Sequence, residues 1–155
     1  MKYLLSVLIS STLVLTQSCK TSSSCFKEQT VVFNADIKIL SKYVCQLEER
    51  FSPSADDIRI AETAICNADS IVQEYFYKKE LKSYRRQYLG FKNMNGEKII
   101  IANLQHKRLF KSRKGDSFLY FQTEFNQGFG EEFEKYQRIL SINLYNGKVS
   151  FPCNK

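Results

Sequence analysis

Residues 84–104 read YRRQYLGFKNMNGEKIIIANL, in which two β-prone runs, Tyr84 to Lys92 and Glu97 to Leu104, are joined by Asn93 to Gly96. Asn and Gly accept the positive backbone angles of a tight turn, so this stretch predicts a β-hairpin. Working toward the C-terminus, Ser117 to Glu124 (SFLYFQTE) and Arg138 to Tyr145 (RILSINLY) are two further strand-like runs. Asn146 and Gly147 then make a second hairpin turn into Lys148 to Phe151. Strands that follow one another through short turns predict an antiparallel meander of four to five strands.

Working toward the N-terminus, Pro53 and Ser54 open a helix, and Asp57, three residues after Ser54, completes a capping-box-like pair. Ile58, Ala61, Ile65, Ala68, Val72 and Tyr75 recur at three and four residue steps and predict one apolar stripe on a helix reaching about Lys79. Cys66 lies off that stripe, among polar residues, and a disulfide to a segment crossing that side accounts for it. Before this, Asn34 caps a weaker pattern of Ile37, Leu40, Val44, Leu47 and Phe51 that fits an extra helix, although Thr30 to Phe33 is β-prone and Val44 to Phe51 also reads as extended. Helix first and sheet after is the order of an α+β domain, a long helix packed on one face of the sheet.

The first eighteen residues have another character. Lys2 supplies a positive start and Tyr3 to Leu15 is an apolar run well short of the roughly 20 residues that span a bilayer. Thr16, Gln17 and Ser18 then precede Cys19, with small residues three and one before it. Ser18 and Cys19 resemble the end of a bacterial lipoprotein signal, where the cysteine receives diacylglyceryl and palmitoyl chains; Thr16 and Gln17 depart from that motif's usual Leu and small residue. The resemblance implies a signal peptide over 1–18, lipidation at Cys19, and a cell-envelope protein anchored in the outer membrane and facing the periplasm. Ordinary secretory cleavage at the same point, leaving Cys19 a thiol, is the competing reading. Residues 19–30 then form a polar tether, and 31–155 a single α+β domain.

Of five cysteines, lipid on Cys19 leaves Cys25, Cys45, Cys66 and Cys153, enough for two disulfides in one of three connectivities. Cys66 with Cys153 would tie down the C-terminal tail and leave Cys25 for Cys45; Cys45 with Cys66 and Cys25 with Cys153 is the alternative. There is no CxxC pair and no Cys/His zinc spacing, so neither metal nor cofactor is expected.

The formal charge is +7, and +6 once Lys2 is removed, which favours anionic partners such as lipid head groups or acidic polymers. Lys107, Arg108, Lys111, Arg113 and Lys114 form a basic loop and the candidate anion-binding group. A second cluster, Lys78, Lys79, Lys82, Arg85 and Arg86, lies near Tyr84, Tyr88 and Phe91, which offer rings for stacking. The bland alternatives are a solvated face and core aromatics. His106, the single histidine, sits beside this loop with no carboxylate close in sequence and reads as a solvated loop residue. No GxSxG, HExxH, phosphate-binding glycine loop or dinucleotide fingerprint is present, and Asp56, Asp57, Glu62, Glu74, Glu131, Glu132 and Glu134 show no acid–base spacing.

The order SPSADDIRIAE, YRRQYLGF, NGEKIIIAN and INLYNGKV resembles small, largely uncharacterised lipoproteins of Bacteroidota. Over about residues 51–151 it is also similar to the cystatin-like arrangement of a helix wrapped by a curved sheet, without the QxVxG loop of protease inhibitors. The sequence therefore leads to a non-catalytic binding or interaction module of the envelope, meeting a membrane through its lipid and an envelope protein or anionic glycan through its domain. Nucleic acid is disfavoured by export. An envelope hydrolase acting on glycan or peptidoglycan, and an immunity or structural lipoprotein, are the alternatives.

Overall fold

The computed structural model describes residues 25–36, 47–69, 72, 74–77, 80–110, 121–125 and 130–152. In chain order they form β1 (Thr30–Phe33), β2 (Leu47–Phe51), α1 (Ala55–Cys66), β3 (Tyr84–Asn93), β4 (Lys98–His106), α2 (Glu131–Tyr136), β5 (Gln137–Asn143) and β6 (Val149–Ser150), with short 3-10 turns at Leu81–Ser83 and Lys107–Phe110. The architecture is α+β with one sizeable helix among the described residues.

β3 and β4 are the hairpin expected from NMNG, with Gly96 at φ 74° in its turn, and Gly147 at φ 70° in the turn between β5 and β6. From β3 to β6 each strand pairs antiparallel with the next. The six-stranded sheet is nonetheless mixed, which corrects the expectation of a purely antiparallel meander. The far edge of β3 is shared end to end by two short strands: β1 runs parallel along Arg86–Leu89 and β2 antiparallel along Gly90–Asn93. The hydrogen-bonding capacity of that buried edge had to be met, and these two strands meet it.

Leu47–Phe51, expected at the end of an extra helix, is therefore strand; residues 37–46 of that expectation lie outside the described ones. Of the expected strand Ser117–Glu124, residues 121–123 are helical and 117–120 lie outside the described residues.

α1 starts as its sequence requires. The Asp57 amide donates to Ser54 Oγ at 3.2 Å, and the Ser54 amide donates back to Asp57 Oδ2 at 2.9 Å. Lys98 Nζ lies 3.3 Å from Asp57 Oδ1 and ties this end to the hairpin. The helix ends at Cys66, not near Lys79. The Asn67 amide closes on Thr63 O, and Asp69 Oδ1 then accepts the Val72 amide at 3.1 Å, which caps a new turn. Ala61, Ile65 and Val72 of the apolar stripe are buried, while Phe76 replaces the expected Tyr75 in the core.

Both faces of the sheet are covered. Tyr84, Tyr88, Ile100, Ala102, Leu104, Leu140 and Ile142 pack with α1, Val72, Phe76 and Phe26. The opposite face holds Phe33, Leu89, Phe91, Ile99 and Ile101, with Phe125 against them. Beside that cluster runs an amide ladder: Asn103 Nδ2 donates to Gln87 Oε1 at 2.7 Å and Gln137 Nε2 to Asn103 Oδ1 at 2.8 Å. Gln87 Nε2 in turn donates to Phe121 O and Glu124 O, so an internal polar network fixes the covering segment.

The N-terminal stretch is latched to the sheet. Cys25 is bonded to Cys66 across a Cα separation of 5.9 Å, which corrects both expected pairings of Cys66; Cys45 and Cys153 lie outside the described residues. Phe26 is buried under the Arg86 guanidinium, whose carbon is 4.6 Å from the ring centre. Arg86 donates to Glu28 O and Thr30 Oγ1 and pairs with Glu62 at 3.3 Å, and the Tyr88 hydroxyl donates to the same carboxylate at 3.2 Å. Cys25 to Thr30 is thus packed on the domain.

Candidate functional site

The strand alternation that buries Ile100, Ala102 and Leu104 continues for one more step and buries His106, the last residue of β4. His106 faces Tyr84, the first residue of β3, across the ladder. It is 1% exposed, which corrects the reading of a solvated loop histidine. Its ring lies edge-on to Tyr77 and Tyr84 at 5.2 and 5.1 Å and stacks with Tyr136 at 5.7 Å. Tyr136 is the last residue of α2, and the Tyr84 hydroxyl accepts the Tyr77 amide at 2.8 Å, so three separate segments close on the imidazole.

The protonation state follows from the neighbours. The Arg108 amide donates to His106 Nδ1 at 3.3 Å, which assigns the ring proton to Nε2, 3.8 Å from Glu80 Oε2. Burial lowers the imidazole's pKa, Arg108 and Lys107 push the same way, and Glu80 opposes them. A neutral imidazole whose lone pair accepts a backbone amide has none left to take a proton from a substrate. His106 is therefore the keystone of an aromatic cluster.

The outer rim of this cluster is cationic. The Arg108 guanidinium carbon lies 5.1 Å from the centre of Tyr77, and Lys135 Nζ lies 5.7 and 5.4 Å from Tyr77 and Tyr136. A hydrogen bond from Arg108 lowers the pKa of the Tyr136 phenol and raises that of Arg108 itself. Tyr77 and Tyr136 meet edge to face at 4.9 Å, so exposed charges sit on a fixed aromatic base. Lys107 completes the rim, 4.0 Å from Glu28. Such an edge can hold an anionic group.

Of the five basic residues expected to bind anions, Lys107 and Arg108 form the turn after β4, whereas Lys111, Arg113 and Lys114 lie outside the described residues, as does Cys19. Tyr84, Tyr88 and Phe91 are core side chains and offer no rings to a ligand, while Arg85 stacks on Phe110 at 4.3 Å. Lys135, Tyr77 and Tyr136 were not expected in this role; their only sequence signal is a basic–aromatic pair, Lys135 and Tyr136, directly before a strand. Asp57 serves the helix cap, Asp56 pairs with Arg59, and Glu62 pairs with Arg86. Among the described residues no group of three or more His, Cys, Asp or Glu is placed to hold a metal.

A second feature follows the length of α1. An open groove of about 500 Å³ runs between α1 and the turn after β5, lined by Arg59, Ile60, Asn67, Val72 and Lys148 among others. Ile60 also lines a neighbouring cavity of about 440 Å³ between α1 and the two hairpin turns, where Tyr145 is 85% exposed.

No known protein family, curated protein or solved structure matches this chain.

Proposed function

We propose that the chain is an exported, lipid-anchored binding module of the bacterial envelope, acting without catalysis and recognising an anionic ligand at the rim formed by Lys107, Arg108 and Lys135 over Tyr77 and Tyr136. The observation that carries this reading is the pair of cations held at 5.1 to 5.7 Å over two mutually braced rings, because charge on a prearranged base binds with little loss of side-chain freedom. The burial of His106 and the Arg108 amide donated to its Nδ1 support the non-catalytic part. Lipid attachment at Cys19, residence in the outer membrane and a periplasmic face belong to the same proposal and rest on the Ser18–Cys19 junction. The likeness to a cystatin-like domain belongs here too; lacking a QxVxG loop, it carries a scaffold and no protease inhibition.

Retention on an anionic matrix tests the ligand class. Replacing Lys107, Arg108 and Lys135 by neutral residues should lower the salt needed for elution while the circular dichroism spectrum is kept. Unchanged elution would identify the rim as a merely solvated face. Fatty-acid labelling tests the anchor: Cys19→Ser should abolish it and release the protein from membranes.

A further inference from the structure

We infer that the rim's ligand is the bilayer itself: the domain rests on anionic phospholipid head groups through the end that carries Cys25, and the hairpin-turn end points away from the membrane. This deepens the anion reading and rests on Cys19 being lipidated.

The argument begins with a length. Six residue steps separate Cys19 from Cys25, so a fully extended chain places Cys25 no more than about 20–22 Å from the lipid attachment. From Cys25 onward the chain is fixed, by the bond to Cys66, by burial of Phe26 and by the Arg86 hydrogen bond to Glu28 O at 2.8 Å. One end of the sheet is thereby leashed. Thr30 pairs with Arg86, Tyr84 with His106, and Gln105 with Gln137, so the same end carries the turn after β4 and the junction of α2 with β5. Lys107 reaches Glu28 directly, three residues after the leash point.

The opposite end holds the hairpin turns and the start of α1, which Lys98 joins through Asp57. The ten residues of β3 separate the two ends by about 30 Å, longer than the leash. Chemistry agrees with geometry. Tyrosine rings with a polar tip, together with Lys and Arg, are the side chains suited to a head-group layer. Glu28 and Glu80 at this end already face Lys107 and His106, and the acidic start of α2 is a further opposing charge among the described residues. A soluble acidic polymer would use the same cations, but only the bilayer is held beside them by the leash.

The test uses the mature chain with Cys19→Ser, which carries no acyl groups, and vesicles of phosphatidylcholine with or without phosphatidylglycerol. Sedimentation with the anionic vesicles, lost at high salt, is expected, with each of Lys107→Gln and Lys135→Gln weakening binding about fivefold. Amine-reactive footprinting of the lipidated protein on the same vesicles should protect Lys107 and Lys135 and leave Lys148 and Lys98 labelled. Binding to a soluble acidic polysaccharide without binding to anionic vesicles overturns the membrane inference and leaves the anion reading standing. Binding to neither sinks both. Protection of Lys148 in place of Lys107 overturns the orientation.

Discussion

Protonating His106 would place a second N–H at Nδ1, against the Arg108 amide that already points there at 3.3 Å. Burial and the two flanking cations disfavour the charged ring as well, so its folded pKa lies below the value near 6.5 of a free imidazole. As pH falls the unfolded chain takes up the proton first, so this contribution to stability is complete above pH 6.5 or so and is lost as pH falls through the folded pKa. Urea unfolding across this range should show stability falling toward acid in the native protein and a flatter profile in His106→Gln. Glu80 is the group that favours the imidazolium, so Glu80→Gln should steepen the loss; a profile identical to the native one would remove Glu80 from this account. Gly90 is a second single-residue constraint. A Cβ there would sit 2.5 Å from the Phe51 carbonyl oxygen, which is backbone and paired in the β2–β3 ladder. Gly90→Ala should therefore cost about 1–3 kcal/mol, read as a lowered denaturation midpoint.

At the scale of elements, caps decide what periodicity leaves open. Ser54→Ala removes one half of the capping box and should cost about 1 kcal/mol. Burial works to raise the pKa of Asp57, but hydrogen bonds from Ser54 and the Lys98 charge outweigh it and hold the carboxyl below its usual range. Its contribution is present above the ordinary carboxylate pKa and is lost as pH falls through the lower folded value, so Asp57→Asn should flatten the most acidic part of the stability profile. The same box was legible in the sequence because it is local, and so were both Asn-Gly turns. The end of α1 was not. Ala61, Ile65 and Val72 keep helical spacing across a break, because the chain stops at Asn67 and restarts on the Asp69 cap while still facing one core. β1 was invisible as a partner of β3 because four residues pairing in parallel across fifty others leave no periodic trace. His106 is the opposite case: extending the alternation of Ile100, Ala102 and Leu104 by one step would have found it buried.

Over the whole molecule, stability depends on a latch that spans the two layers. The Cys25–Cys66 bond closes a 41-residue separation, for which chain entropy predicts about 4 kcal/mol, a sizeable part of the roughly 5–15 kcal/mol that holds most domains folded. Replacing both cysteines by alanine should lower unfolding free energy by about that amount, and peptide mapping of unreduced protein should recover the two as one linked pair. The loss should not be uniform. β1 is a four-residue strand whose hold on the sheet comes from the ladder to β3, the Arg86 contacts and the disulfide behind it. Without the latch, the Arg86 amide, which donates to Gln29 O at 2.9 Å, should exchange its hydrogen through local opening, while Ile100 to Leu104 in β4 still require global unfolding. Freed in this way, the Arg86–Leu89 edge of β3 would present unpaired backbone groups and promote self-association on reduction. Hydrogen exchange that accelerates equally in β3 and β4 after Cys25→Ala and Cys66→Ala would show instead that the bond supports the domain as one cooperative unit, with no separable latch.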